Sequence, residues 1–171
     1  TFTRGVGTVQ FNGTNDLQTI RGTSASAFYI LSVDKGAQSK ILEATSVISL
    51  HAPTNPLDLF TGTFKLSSAS TITPFTDGTA AAIDGFMGLW NNGGTINSVG
   101  NFPWLLNAGL LRVSAGTVNV GANPGNSIEY LNNGTLMIEG GALNIAARFV
   151  ANDPPNSTGQ YIQTGGTLTI F

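Results

Sequence analysis

Glycoside cleavage needs two carboxylates placed across one bond, and the acids of this chain approach that requirement in two places. Asp58 and Asp84 stand 26 residues apart, and Glu129 and Asp153 stand 24 apart. Such pairs meet only if the chain returns to the same place at about that interval. No two of the nine acids lie at i,i+1 or i,i+2, so no strand presents a pair by itself. Turn acids at equivalent corners are the plainer reading. His51 is the one imidazole. Its setting, LHAPTNP, offers loop-formers and no orienting partner for a general base. With no cysteine, no G-x-S-x-G and no phosphate-cradling glycine loop, the chain is expected to carry no catalytic residue, no metal site and no cofactor.

Aromatic side chains supply a different chemistry. Exposed rings stack on sugars, and Trp90, Phe102, Trp104, Tyr130 and Tyr161 all fall in the second half of the chain. Trp90, Trp104, Tyr130 and Tyr161 are the candidate glycan platform. The competing expectation for FPW at 102–104 is a plug for the core.

These residues have to be positioned by something, and the spacing of glycines says what. Gly109, Gly134 and Gly159 lie 25 residues apart, and so do Gly116, Gly141 and Gly166. A fixed period of 20 to 50 residues marks a repeat architecture. Within the repeat, Val118 and Val120, Leu143 and Ile145, and Leu168 and Ile170 alternate with polar or small residues. That two-residue period belongs to strands. The companion segment runs Leu111 with Val113, Leu136 with Ile138, and Tyr161 with Gln163. Short strands, glycine and asparagine corners and this period predict an all-β parallel β-helix, or β-solenoid. It is expected to have about 25 residues per coil, roughly seven coils and right-handed winding. One domain spans 1–171, with irregular coils over 1–104 and regular ones over 105–171. Strand grammar at both ends predicts a segment of a longer repeat protein.

The same signature recurs earlier as GTVQF (7–11), GTFKL (62–66) and GTINS (94–98). Placed in one column with GTVNV, GALNI and GTLTI, these put Gln10 and Lys65 among the outward residues. Such a column is too irregular for an ordered Thr-x-Thr array. Expected loops are 51–58, 73–80, 121–127 and 151–158, each carrying Pro, Asn or Asp.

Composition narrows the partners. Charged residues are 9% of the chain, net charge is −2, and the seven Lys and Arg are scattered singly. Nucleic-acid binding needs a clustered basic footprint, so it is not expected. No apolar run approaches a membrane span. The deficit of charge is filled by Gly, Thr, Ser and Asn, which suits an all-β fold and not a disordered one.

Two stretches carry a resemblance. GTVQFNGTNDLQTIRG (7–22) and FYILSVDKGAQSKILEATSVISL (28–50) resemble a unit of very large secreted surface proteins of Bacteroidetes-type bacteria. That unit runs G-T-V-x-F-N-G-x-x-x-Q-T-I, then F-x-x-L-x-V-D/N-K. GLLRVSAGTVNVG and GGTLTIF resemble the glycine-threonine coils of those proteins and of autotransporter-type β-helices. The resemblance implies a parallel β-helix at the cell surface or outside the cell. The implied role is structural or adhesive and non-enzymatic: a stalk, adhesin or matrix element. Its expected partners are adjoining repeats of the same chain, surface polysaccharide, or like subunits end to end. The alternative is a carbohydrate-binding or lyase-like β-helix.

Overall fold

The structure is a computed structural model that describes residues 2, 4–76, 81–98, 103–121, 127–131, 133–151 and 158–171, with backbone alone at 127, 129–131 and 151. Among these residues there is no helix, and every strand pairing is parallel. The chain is a parallel β-solenoid of about six turns.

Each circuit contributes strands to three sides. The first side stacks Thr8–Phe11, Ile30–Asp34 and the start of Leu57–Leu66, and continues as Ala81–Asp84, Trp104–Asn107, Ser127–Leu131 and Arg148–Ala151. The second stacks Leu17–Ile20, Ile41–Ala44, the end of Leu57–Leu66, the start of Met87–Asn97, the start of Leu110–Val120, Thr135–Ile138 and Gln160–Gln163. The third carries Thr71–Ile72, the ends of Met87–Asn97 and Leu110–Val120, Ala142–Ile145 and Thr167–Ile170. Ser26–Phe28 and Ile48–Leu50 form a separate pair above it.

Strand alternation makes the core. On the second side Leu42, Phe64, Leu89, Leu111 and Leu136 form one inward column, each fully buried. On the third, Ile72, Ile96, Val118 and Leu143 form another. A single coil has no layer to bury these side chains against; the coils above and below supply it. Of the predicted inward pairs, Leu111 with Val113, Leu136 with Ile138, Val118 with Val120 and Leu143 with Ile145 are fully buried, whereas on the last strand Leu168 is half-buried and Ile170 is exposed.

Three expectations change. The mean step is about 24 residues instead of 25, and the chain makes about six turns instead of seven: seven strands stack on the second side, separated by six steps. One column of the second side steps Thr19, Glu43, Lys65, Trp90, Arg112, Met137, Ile162, so the intervals are 24, 22, 25, 22, 25 and 25. The projected loop 51–58 is shorter, since Leu57 and Asp58 already belong to a strand, and Ser127 likewise opens one. Finally, GTVQF, GTFKL and GTINS do not share a column. Thr8–Phe11 lies on the first side, Thr63–Leu66 on the second and Thr95–Asn97 on the third. One local pattern serves three sides because each side needs the same short strand after a corner.

Candidate functional site

The residues proposed as a platform are not brought together on one surface. Trp104 pairs in register with Ala81 and Ile128 and is completely buried. Its ring meets Phe75 edge-on, with centroids 5.5 Å apart, and its Nε1–H has no acceptor among the described residues. Small Ala81 one coil away leaves room for the indole, so Trp104 fills the core as the plug reading of FPW expects. A buried ring cannot stack on a sugar. Phe102 lies outside the described residues.

Tyr161 stands in register with Leu136, an inward column position, and is 40% exposed because it belongs to the last stacked strand. Its ring tilts against Phe149 at 5.6 Å and its hydroxyl donates to Gln163. Burial of the phenol pushes its pKa up. Tyr130 pairs with Leu106 and Ala151, and its side chain lies outside the description.

Trp90 is the centre of a different object. Leu89 and Asn91 turn inward and are fully buried, so Trp90 between them turns outward. One coil above, Lys65 Nζ sits 4.1 Å from the ring centroid, and one coil below, Arg112 Cζ sits 3.8 Å from it. Cations over an indole face are attracted by its quadrupole, and here both neighbouring coils supply one. Lys65 also bonds Glu43 Oε1 at 2.9 Å, and Arg112 forks onto Glu139 at 2.8 and 3.0 Å.

The indole N–H continues the network sideways. Trp90 Nε1 donates to Ser114 Oγ at 2.6 Å, Ser114 Oγ to Asn92 Oδ1 at 2.7 Å, Asn92 Nδ2 to Ser67 Oγ at 3.0 Å, and Ser67 Oγ to Glu43 Oε1 at 2.6 Å. The circuit Glu43, Lys65, Trp90, Ser114, Asn92, Ser67 closes on itself. Together with Glu139 it ties five successive strands of the second side. Glu43 has its pKa held down, first by the Ser67 hydroxyl and then by Lys65, against the opposing effect of burial. Chemically this is a clasp. Its charged groups are paired, and its aromatic face is covered.

Asp58 and Asp84 have separate surroundings. Asp58 faces a small cleft of about 150 Å³ with Asn55, Phe75, Ala81 and Ala82, where burial raises its pKa. One coil on, Ala82 lines that cleft, while Asp84 accepts a hydrogen bond from Asn107 at 2.8 Å. Asp153 and the side chain of Glu129 lie outside the described residues. His51 Nε2 is 2.9 Å from Ser49 Oγ, its i−2 neighbour, at the exposed end of a strand. Among the described residues no three of His, Cys, Asp and Glu gather as a metal site.

Two structural residues escaped the sequence. Asn91, in what reads as an NNG turn, is fully buried inside the strand Met87–Asn97. Its amide makes three hydrogen bonds: Nδ2 donates to Gly94 and Thr117 carbonyls, and Oδ1 accepts from the Gly94 N–H. Lys35 is only 2% exposed, and its Nζ donates to the Gly13 carbonyl at 2.6 Å and to Gln18 Oε1 at 2.7 Å. Burial, and then repulsion from Lys40, lower its pKa; Asp16 partly offsets both. The signal for Lys35 was present: Gly13, Gln18 and Lys35 all fall in NGTNDLQ (12–18) and VDK (33–35), within the stretches that carry the resemblance. The pattern encodes a staple between the first two coils.

Compared with known proteins, the chain matches no family model, no curated protein and no solved structure.

Proposed function

We propose that this chain is a non-enzymatic structural and adhesive segment of a large exported bacterial surface protein, serving as stalk, adhesin or matrix element. The observation that carries the reading is the clasp around Trp90. Side chains suited to sugar stacking, ion pairing and acid–base work are spent on holding one coil to the next. A column so bonded transmits force along its axis through the circuits the clasp ties, which is what a stalk requires. The exported, surface context comes from the resemblance of 7–22 and 28–50 to surface-protein coils. Antibody raised against this segment tests the reading. It is expected to label intact, unpermeabilised cells of the producing organism. Labelling only after permeabilisation would overturn it.

A further inference from the structure

The third side of the solenoid differs from the clasped one. Its outward residues form two columns in one-to-one register: Thr71, Thr95, Thr117, Ala142 and Thr167, and beside them Asn97, Asn119, Asn144 and Thr169. Neither column contains an ionisable group. Gln10 and Lys65, which the sequence placed among them, stand on the other two sides. The array is therefore more regular than the sequence made it.

The asparagines hold one another. Asn119 Nδ2 donates to Asn97 Oδ1 at 2.8 Å, and Asn144 Nδ2 donates to Asn119 Oδ1 at 2.8 Å. Side-chain ladders of this kind oppose the natural twist of a sheet and keep a stack flat. An amide has two N–H donors and two acceptor lone pairs, so each ladder member keeps donor and acceptor capacity for the solvent side. Rungs repeat at about 4.8 Å along the stack, and Thr and Asn of one rung are separated by about 6.6 Å along the strand. The result is a two-dimensional net of hydroxyl and amide groups. Its spacings approach those of the oxygen net on a prism face of hexagonal ice. The threonines and Ala142 also bring methyl groups to this side.

From this we infer that the Thr/Asn side is a water-ordering face whose partner is the surface of an ice crystal. Charge complementarity favours a neutral lattice over a charged macromolecule. A charged partner would lose hydration against this side and gain no counter-charge. The inference stands apart from the structural role above: a stalk without an ice-binding side, or an ice binder that is no stalk, are both separable outcomes.

The purified chain tests it by uptake into slowly growing ice and by faceting of single crystals. Wild type is expected to enter the ice and shape it. Thr117→Tyr, in the middle of one column, and Thr167→Tyr, at its exposed end, should reduce uptake to that of a non-binding control protein. Circular dichroism and urea midpoint of Thr167→Tyr should stay as in wild type. Gln10→Tyr, on another side, should enter ice as wild type does. Failure of wild type to enter ice, or uptake indifferent to both threonine variants, overturns the inference. So does adsorption to crystalline cellulose or chitin without any effect on ice, which would assign this side to a neutral polysaccharide.

Discussion

The corner between the second and third sides is built in two ways, and the two halves of the molecule divide on it. In the later coils the corner is glycine. Gly116, Gly141 and Gly166 take φ of +76°, +68° and +66°, and a Cβ on Gly116 would lie 2.1 Å from the Gly94 carbonyl oxygen one coil away. In the earlier coils the same corner is Thr45–Ser46 and Ser67–Ser68. There, Thr45 and Ser46 hydroxyls reach back to the Ile20 carbonyl, and Ser68 bonds Ser70. Backbone stacked on backbone admits one corner length: from the Trp90 rung to the Ile162 rung the second-side and third-side columns stay five residues apart. At the hydroxyl corner of the Lys65 rung the same two columns are six residues apart, and the remaining variation in step, between 22 and 25, arises elsewhere in the circuit. The change-over falls at Asn91 and Asn92, where the register between strands shifts.

The sharpest way to break this comparison is Gly116→Ala. Left-handed backbone costs a non-glycine residue about 1–2 kcal/mol, and forcing a methyl into closed packing costs about 1–3 kcal/mol. Urea unfolding should therefore show a loss of about 2–5 kcal/mol. Ser46→Ala, at the equivalent corner above, should lose only about 1 kcal/mol, the net worth of a hydrogen bond. Equal losses would mean that the two corners are not different in kind.

Next in size is Lys35→Met. Hydrogen bonds to a charged donor are worth about 1.5–3 kcal/mol, and solenoid coils feel mainly their neighbours. Amide exchange should accelerate over Thr8–Ile20 and Ile30–Asp34 and stay unchanged beyond Leu110. Acceleration throughout would show that the coils unfold as one unit and that the halves are not separable.

Trp90→Ala should cost about 1–2 kcal/mol by removing the ring from between two cations and the indole donor from the circuit. Trp90→Phe should restore about half of that, since phenyl keeps a cation-binding face and loses the N–H. A phenylalanine as damaging as alanine would place the whole effect in the Ser114 bond.

The smallest effect is a dependence on pH. Glu43 has a folded pKa below its unfolded value. It therefore contributes stability that is present above the ordinary glutamate range, near pH 4.3, and is lost as pH falls through the lowered folded value. Urea midpoints measured downward from pH 6 should decline less steeply in Glu43→Gln than in wild type. Parallel curves would remove Glu43 from the clasp's energetics.

How much of this was legible follows from the same contrast. In the later coils, glycine columns and alternation together placed Leu111, Val113, Leu136, Ile138, Leu143 and Ile145 in the core, where they are. In the earlier coils no glycine period exists, so the pattern G-T-x-apolar could not say which of three sides it occupied. The two tryptophans show the limit for a site. Leu89-Trp90-Asn91 conceals that an asparagine, not only the leucine, points inward. Pro103-Trp104-Leu105-Leu106 is apolar on both faces, so alternation alone does not orient its indole. Contacts between coils decide both, and those lie 22 to 25 residues away along the chain.

The central claim is that each circuit stacks in register on the one before it. Spin labels on Thr71 and Thr167, four rungs apart in one column, measure it most directly. Backbone separation should be about 19 Å, and about 10 Å for labels on Thr117 and Thr167, two rungs apart. A two-to-one ratio between the pairs supports parallel stacking. Comparable distances for both pairs, or a Thr117–Thr167 separation beyond that of Thr71–Thr167, would contradict it.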